Sequence, residues 1–231
     1  MRFGILVFPG TWSDTDCYHA VNGVLQQEAA YVWHREDNLA GYDCVVLPGG
    51  FSYGDYLRPG AMARFSPVMD ALHRFAEAGG LVIGICNGFQ ILCEAGLLPG
   101  ALPRNHHLQY RCQWTNLRAE RADTAFTSRC SPGQVLRVPV SHGEGNYYAD
   151  AATLAGLEDE NRVLFRYCDT SGEATDSANP NGAAHNIAGI INEAGNVLGM
   201  MPHPERSCEP ILGSTDGNLI FQSIVDSCRS G

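Results

Sequence analysis

Residues 81–92 read LVIGICNGFQIL, and this stretch decides the fold. An apolar run leads into Gly84-Ile85-Cys86-Asn87-Gly88, after which the apolar residues take the spacing of a helix. Small residues on both sides of a nucleophile permit a tight turn from strand to helix, the arrangement called a nucleophile elbow. We therefore predict that Cys86 stands at the end of a central strand and acts as a nucleophile. The alternative is a buried structural cysteine.

The N-terminal side of this stretch repeats the alternation of short apolar runs and helix-length segments. Such alternation is typical of a mostly parallel sheet with helices on its faces. Ser13 or Asp14 can cap the first helix, because Ser and Asp are preferred at that position. The predicted strands are 3–8, 31–33, 44–47 and 81–85, and the predicted helices are 18–30 and 69–78.

The C-terminal side changes character from residue 112 onward, where short strand patterns are separated by turn residues. Residues 192–196, between two apolar runs, predict a hairpin. The fold class is therefore α/β: a mostly parallel central sheet flanked by helices, with an additional antiparallel portion, in a single domain over residues 1–231. The predicted elements here are strands 114–117, 135–138, 187–191 and 197–201 and a closing helix 216–228.

Composition excludes several classes of function. The net charge of −10 and the lack of a Lys/Arg cluster argue against binding to nucleic acid. The nine cysteines are odd in number and scattered, and no secretory signal pattern or membrane span is present, so we expect a reducing cytoplasm. No Cys-x-x-Cys pair occurs, and we expect no metal site.

A base for the thiol is offered by Met201-Pro202-His203-Pro204-Glu205. The prolines favour an extended backbone, in which side chains two residues apart share a face. Glu205 can then bind one ring nitrogen of His203 while the other faces Cys86, which is the logic of nucleophile, base and orienter. The alternative for His203 is an ordinary surface histidine.

Acyl transfer also needs N–H donors for the oxyanion that forms on the attacked carbonyl. The backbone N–H of Asn87, directly after the nucleophile, is one donor by elbow geometry. Gly50, in Pro48-Gly49-Gly50-Phe51, is our second, because glycine lets the backbone approach a ligand closely. A plain turn at the end of a strand is the alternative for this segment.

These motifs resemble those of the class I glutamine amidotransferases. Four further segments narrow the resemblance to the glutaminase subunits of phosphoribosylformylglycinamidine synthases, which act in purine biosynthesis. The resemblance extends over nearly the whole chain. The four segments are 48–60, 141–145, 179–182 and 213–217.

The resemblance implies a flavodoxin-like amidotransferase fold in which Cys86, His203 and Glu205 form the catalytic triad. It implies that the backbone N–H groups of Gly50 and Asn87 stabilise the oxyanion. Glutamine is expected to react through a γ-glutamyl thioester on Cys86, giving glutamate and ammonia. By the same resemblance, Gln90, His142 and Gly143 lie against the bound glutamine.

The resemblance also implies a partner, a larger synthetase subunit. This partner uses ATP, Mg²⁺ and the released ammonia to convert formylglycinamide ribonucleotide into formylglycinamidine ribonucleotide. Whether a small accessory subunit is also needed stays open. The chain itself has no phosphate-binding loop, so we expect no cofactor here. Tyr56 and Arg58 lie in a polar, aromatic loop and are our candidates for the partner interface. A solvated loop is the alternative.

Two other functions remain open on the residues alone. The first is a thiol hydrolase or redox-sensing protein with a similar elbow, in which the cysteine is oxidised. The second is a scaffold without catalysis that regulates a synthetase. The presence of Cys86, His203 and Glu205 together favours the enzyme, because a scaffold needs no complete nucleophile–base–orienter set.

Overall fold

The computed structural model describes residues 1–229. The strands are β1 Arg2–Val7, β2 Glu28–Trp33, β3 Cys44–Leu47, β4 Leu81–Ile85, β5 Arg111–Ala119, β6 Val135–His142, β7 Val163–Cys168, β8 Ile187–Ile191 and β9 Val197–Met200. The α-helices are α1 Asp14–Tyr18, α2 Pro67–Glu77, α3 Asn87–Glu94, α4 Ala151–Asp159 and α5 Gly217–Arg229.

All of these strands join one sheet in the order β2-β1-β3-β4-β9-β8-β7-β5-β6. The five strands from β2 to β9 are parallel, in the order that flavodoxin-like sheets have. In such sheets, ligands bind outside the carboxyl ends of the strands. The carboxyl ends of β4 and β9 therefore mark the place to look for a site.

The remaining strands run antiparallel, as the turn-rich C-terminal half of the sequence predicts. Strand β9 belongs to both parts, because it pairs parallel with β4 and antiparallel with β8. The predicted hairpin is confirmed as β8 and β9. It carries the segment that follows β9 to the middle of the sheet.

The core lies on both faces of the parallel part. Every residue of β3 is buried, as expected for a central parallel strand covered on both faces. Helix α3 packs close to this part of the sheet: a methyl group on Gly88 would lie 1.9 Å from the carbonyl oxygen of Leu47. Only a residue without a side chain allows this approach.

The predicted strands 44–47 and 81–85 coincide with β3 and β4. The predicted helix 18–30 is too long, because helix ends at Val24 after a π-helical segment, His19–Val24, and β2 begins at Glu28. Gln26 has a positive φ of 55°, which ends the helical backbone, and β2 then pairs with β1. The apolar stripe could not show this, because it continues into a strand.

Residues 1–229 contain neither a membrane-spanning helix nor a metal-binding cluster. None of the helices there is long and apolar enough to cross a membrane. Within the same residues, no group of three or more His, Cys, Asp or Glu side chains is arranged to hold a metal ion.

Candidate active site

Cys86 occupies the turn between β4 and α3 with φ 52° and ψ −106°. A positive φ is unusual for a residue with a side chain, and such a conformation costs about 1–3 kcal/mol. Close packing around the turn enforces it: a methyl group on Gly84 would lie 2.5 Å from Leu92 Cδ1. The elbow geometry is as predicted, but Cys86 is only 5% exposed.

His203 reaches Cys86 because the two residues follow neighbouring parallel strands. The N–H of Cys86 donates to Met200 O at 2.8 Å, which extends the pairing of β4 with β9 to the elbow. A methyl group on Gly49 would lie 2.7 Å from His203 Cε1 and 3.4 Å from Cys86 Cβ, so the ring and the cysteine border the same small space.

The two ring nitrogens of His203 have different surroundings. Nδ1–H donates to Glu205 Oε1 at 2.5 Å, and both side chains are buried. Nε2 has no hydrogen-bond partner within residues 1–229, while the Cys86 sulfur is near enough to act on the ring. The predicted pairing of His203 with Glu205 through one nitrogen is therefore present, and the other nitrogen is available for proton transfer.

The charges around His203 favour the imidazolium form. Burial by itself lowers the pKa of His203, but the Glu205 carboxylate and the Cys86 sulfur outweigh it and raise that pKa to about 10. At neutral pH the ring is therefore protonated. A buried imidazolium beside a sulfur stabilises the thiolate, which is the reactive form of cysteine.

The two predicted oxyanion donors belong to the two segments next to Cys86, the start of α3 and the turn at Gly49-Gly50. Asn87 is the first residue of α3. Gly50 has φ 149°, and a methyl group there would lie 2.5 Å from Trp12 N. The next two amides along the chain are already occupied, because Phe51 N–H donates to Gly10 O and Ser52 N–H to Asn87 Oδ1. This leaves Gly50 as the candidate donor in the turn.

Gln90 belongs to a hydrogen-bond chain that crosses the site. Asn87 Nδ2 donates to Gln90 Oε1 at 2.9 Å, and Gln90 Nε2 donates to Glu144 O at 2.6 Å. Because Asn87 Oδ1 accepts from Ser52, the chain links three segments: the loop after Gly50, helix α3 and the end of β6. Gln90 therefore fixes the relative positions of these segments.

His142 is buried in a box of amide groups at the end of β6. Its Nδ1 lies 3.2 Å from Asn105 Oδ1, and Gly145 N–H donates to the same oxygen at 3.0 Å. Asn181 Nδ2 donates to Gly145 O at 2.7 Å. Burial first, and then the charge of His203, lowers the pKa of His142 to about 3, so the ring is neutral. The box holds the backbone at Gly143 in place.

Tyr56 and Arg58 lie in the loop that leaves the active site. Tyr56 is 75% exposed. Arg58 binds Glu94 of α3 through two hydrogen bonds, Nε to Oε1 at 2.5 Å and Nη2 to Oε2 at 2.6 Å. Arg58 therefore has a partner within its own chain while much of its side chain still faces solvent.

Two cavities border the residues of the candidate site. One, of about 80 Å³, lies beside His203 and Gly50 and has Trp12, Phe51 and Tyr110 at its rim. The other, of about 410 Å³, lies on the far side of Gln90. Its lining residues are Arg58, Pro59, Gln90, Cys93, Glu94, Ala101, Leu102, Pro103, Arg104, Glu144 and Tyr148.

Most of the chain is similar to one family of known proteins. Residues 1–218 match the model of the CobB/CobQ-like glutamine amidotransferase domain. The chain belongs to this family. The fold is thus the class I glutamine amidotransferase fold, with its parallel sheet and its added antiparallel strands.

Individual amidotransferases match along almost their whole length. The phosphoribosylformylglycinamidine synthase subunit PurQ of Moorella thermoacetica is 62% identical over 231 residues, with 100% of this chain and 98% of the relative covered. The same subunit of Salinibacter ruber is 59% identical, with 97% and 96% covered. Among solved structures, PurLQS from Thermotoga maritima matches at 42% identity with a TM-score of 0.86, covering 98% of each chain.

Sequence reasoning missed three residues around Cys86 and the His203–Glu205 pair. Ser141 O accepts from the Cys86 thiol at 3.7 Å. Arg206 contacts Ser13, and Ser13 in turn holds the turn at Gly49. The position of Arg206, directly after the His-x-Glu motif, is a signal that could have been noticed. Ser13 was predicted as a possible helix cap, and it is at the cap position of α1, but its hydroxyl binds Arg206 instead.

Proposed function

We propose that the chain is the glutaminase subunit of a phosphoribosylformylglycinamidine synthase, which hydrolyses L-glutamine and passes the ammonia to a synthetase subunit. The observation that carries this proposal is the meeting of Cys86 with the His203–Glu205 pair at the carboxyl ends of β4 and β9. The similarity to PurQ subunits over the full chain supports the same assignment.

The chemistry follows from these positions. The Cys86 sulfur attacks the side-chain amide carbon of glutamine, and the carbonyl π electrons move onto oxygen. The N–H groups of Gly50 and Asn87 stabilise this oxyanion, each donor contributing about 3 kcal/mol. His203 gives its Nε2 proton to the leaving nitrogen, the carbon–nitrogen bond breaks, and ammonia departs from the γ-glutamyl thioester. Glu205 holds the ring throughout.

The thioester is then hydrolysed. Water attacks its carbonyl carbon while His203 Nε2 takes a proton from the water, and the carbon–sulfur bond breaks to give glutamate and the Cys86 thiolate. Gln90, His142 and Gly143 are proposed to contact glutamine during both steps. Gln90 does so from helix α3, and the His142-Gly143 stretch does so from the end of β6.

Ammonia is consumed by a partner. The similar Thermotoga maritima structure is described as PurLQS, which supports assembly with a larger synthetase subunit and a small accessory subunit. We assign ATP and Mg²⁺ to the synthetase subunit and no cofactor to this chain. Tyr56 and Arg58 are the proposed contacts to the partner. The single domain over 1–231 and the cytoplasmic location remain predictions from the sequence.

The decisive experiment separates ammonia production from ammonia use. We expect that Cys86→Ala, reconstituted with the synthetase subunit, loses glutamine-dependent synthesis by at least about 10³-fold, because the nucleophile is gone. Synthesis from added ammonium should remain near the wild-type rate. Formylglycinamidine ribonucleotide formation from each nitrogen source is the measurement.

A suitable control is Cys112→Ala, since Cys112 is an exposed cysteine on β5. It should leave both activities unchanged. Glutamine-dependent synthesis by the Cys86→Ala complex at the wild-type rate would overturn the proposal. The rival function, a redox sensor, predicts no glutamate release by the wild-type complex.

A further inference from the structure

The carboxylate of Glu205 is incompletely satisfied where it lies. Its side chain is fully buried, one oxygen accepts from His203, and Oε2 has no hydrogen-bond partner within residues 1–229. A buried carboxylate is costly unless charges and hydrogen bonds compensate it. His203 supplies one positive charge, but that charge is shared with the Cys86 sulfur.

Arg206 supplies a second positive charge from the residue directly after Glu205. Its Nε lies 3.8 Å from Glu205 Oε1, which is an ion pair without a hydrogen bond. The same Nε donates to Asp16 Oδ2 at 3.0 Å. These contacts hold the guanidinium between α1 and the Glu205 carboxylate. Much of the Arg206 side chain is buried.

Arg206 is also tied to the turn that carries the proposed oxyanion donor. Its Nη2 donates to Ser13 Oγ at 2.9 Å. Ser13 N–H in turn donates to Gly49 O at 3.0 Å, and Trp12 N–H does the same at 3.0 Å. Gly49 O belongs to the peptide group that contains the Gly50 N–H. A shift of Arg206 would therefore displace Ser13, which holds the peptide group of the Gly50 N–H in place.

We propose that Arg206 is a positioning residue of the glutaminase site, which acts on the Cys86–His203 pair through Glu205 and on the Gly50 amide through Ser13. The inference rests on the proposed glutaminase function and adds a residue to it. Its guanidinium holds the Glu205 carboxylate in place and adds a positive charge beside the thiolate. Arg206 also lines the small cavity beside His203, but its guanidinium donates hydrogen bonds to Asp16 and Ser13 and not to Cys86 or His203.

The charged groups that face this arrangement are few. Asp16 on α1 opposes the charge of Arg206. Cys17, also on α1, and Cys208 lie close to Glu205, but burial raises the pKa of each thiol well above its usual range, so both are neutral at working pH. The titratable groups that face Arg206 are therefore Asp16, Glu205 and the Cys86–His203 pair.

The test follows the alkylation of Cys86 by iodoacetamide as a function of pH, in the complex with the synthetase subunit, by mass spectrometry of the peptide that contains Cys86. Removal of a cation near a thiolate disfavours the thiolate. We expect Arg206→Gln to move the acid limb of the alkylation profile up by about 0.5 pH unit or more. Arg206→Lys should leave the acid limb close to its wild-type position, because lysine keeps the positive charge.

Kinetic measurements add a second readout. We expect Arg206→Gln to lower kcat for glutamine hydrolysis about tenfold while KM changes less, because the loss falls on the oxyanion and the triad. Ammonium-dependent synthesis should be unchanged. Arg121→Gln is the matched control, since Arg121 lies on the surface beyond β5 and pairs with Asp123.

Asp16→Asn tests the same idea with the opposite sign. It removes an anion beside Arg206, so the acid limb of the alkylation profile should move to lower pH. This variant also tests the inference if Arg206→Gln does not fold. An acid limb at the wild-type position in the folded Arg206→Gln or Asp16→Asn complex would overturn the inference. Failure of the glutaminase function would instead appear as no glutamate release by the wild-type complex.

Discussion

Asp55 is an acid that the fold holds in an unfavourable place, at the rim of the site. Burial first, and then the nearby charge of Glu144, raises the pKa of Asp55 from 3.8 to about 6. Its backbone has a positive φ of 55°, and its carboxylate is 3.5 Å from Asn87 Nδ2. The ionised form of Asp55 is thus less stable in the folded protein than in the unfolded chain.

This gives a prediction for stability against pH. Because the folded pKa is raised, Asp55 contributes stability below pH 3.8, and this contribution is lost as pH rises through about 6. Asp55→Asn should therefore increase the free energy of unfolding at pH 7.5 by about 1 kcal/mol, after a discount for the solvent that still reaches this half-exposed group. At pH 4.5 the gain should fall to about a third of this value.

Urea unfolding of the isolated chain at the two pH values is the measurement. Asp37→Asn is the control, because Asp37 is exposed. An equal gain for Asp55→Asn at both pH values would mean that the amide helps the positive φ rather than relieving a charge.

Whether the role of a site residue could be predicted depends on whether its contacts are close in sequence. The pairing of His203 with Glu205 could be predicted because the two lie two residues apart. The extended backbone expected there is wrong, because Pro204–Arg206 form a 3-10 turn that begins at His203. The role of Asn105 could not be predicted, because it reaches His142 from a separate loop. Arg206 and Ser13 are also far apart in the chain, and no periodic pattern joins them.

At the scale of elements, the contact of α3 with β3 sets the position of the nucleophile. Gly88 allows the approach, since a methyl group there would overlap the carbonyl oxygen of Leu47. We expect Gly88→Ala to lower the free energy of unfolding by about 3 kcal/mol, because overpacking against backbone leaves no side chain to yield. Urea unfolding of the isolated chain checks this.

Gly156→Ala is the matched control. Gly156 lies inside α4, where the nearest atom to an added methyl group is Arg162 Nη2 at 4.0 Å. The same substitution should there increase the free energy of unfolding by about 0.5–1 kcal/mol, because alanine favours helix. Equal effects of the two substitutions would refute the packing argument.

Strands were easier to predict than their surroundings. The runs at β3 and β4 are fully apolar and end in glycine or the elbow, so their bounds could be predicted. Strands β5 and β6 are longer than predicted, because their outer residues are polar and pair only in three dimensions. The π-helical segment before β2 has no sequence signal that we could use.

At the scale of the whole molecule, the site is closed. Cys86 is 5% exposed and the cavity beside His203 is about 80 Å³, so the rim narrows the access of glutamine to the sulfur. We predict that binding of the synthetase subunit increases the rate of glutamate release at least about tenfold, by favouring an open arrangement of the rim. Equal rates with and without the partner would contradict this.

The loop that carries Arg58 gives a prediction about assembly. If Arg58 contacts the synthetase subunit, Arg58→Ala should weaken association about tenfold or more and lower glutamine-dependent synthesis, because exposed arginines are frequent anchors at interfaces. Titration of the labelled chain with the synthetase subunit measures the affinity.

Arg58→Ala also breaks the pair with Glu94, so Glu94→Gln is the control. It removes the intramolecular pair and keeps the arginine, and it should change association much less. Equal losses in the two variants would place the effect in the loop rather than in the interface, and no loss in Arg58→Ala would end this proposal.

The pairing of β4 with β9 has a consequence for synthesis on the ribosome. The sulfur of Cys86 leaves the exit tunnel long before the imidazole of His203 is made, and the sheet has no place for that ring until the last hairpin is added. A nascent or prematurely terminated polypeptide therefore holds a nucleophile without a base. A chain that lacks His203 cannot hydrolyse glutamine by this route, so the activity begins only after the hairpin that precedes His203 has been made.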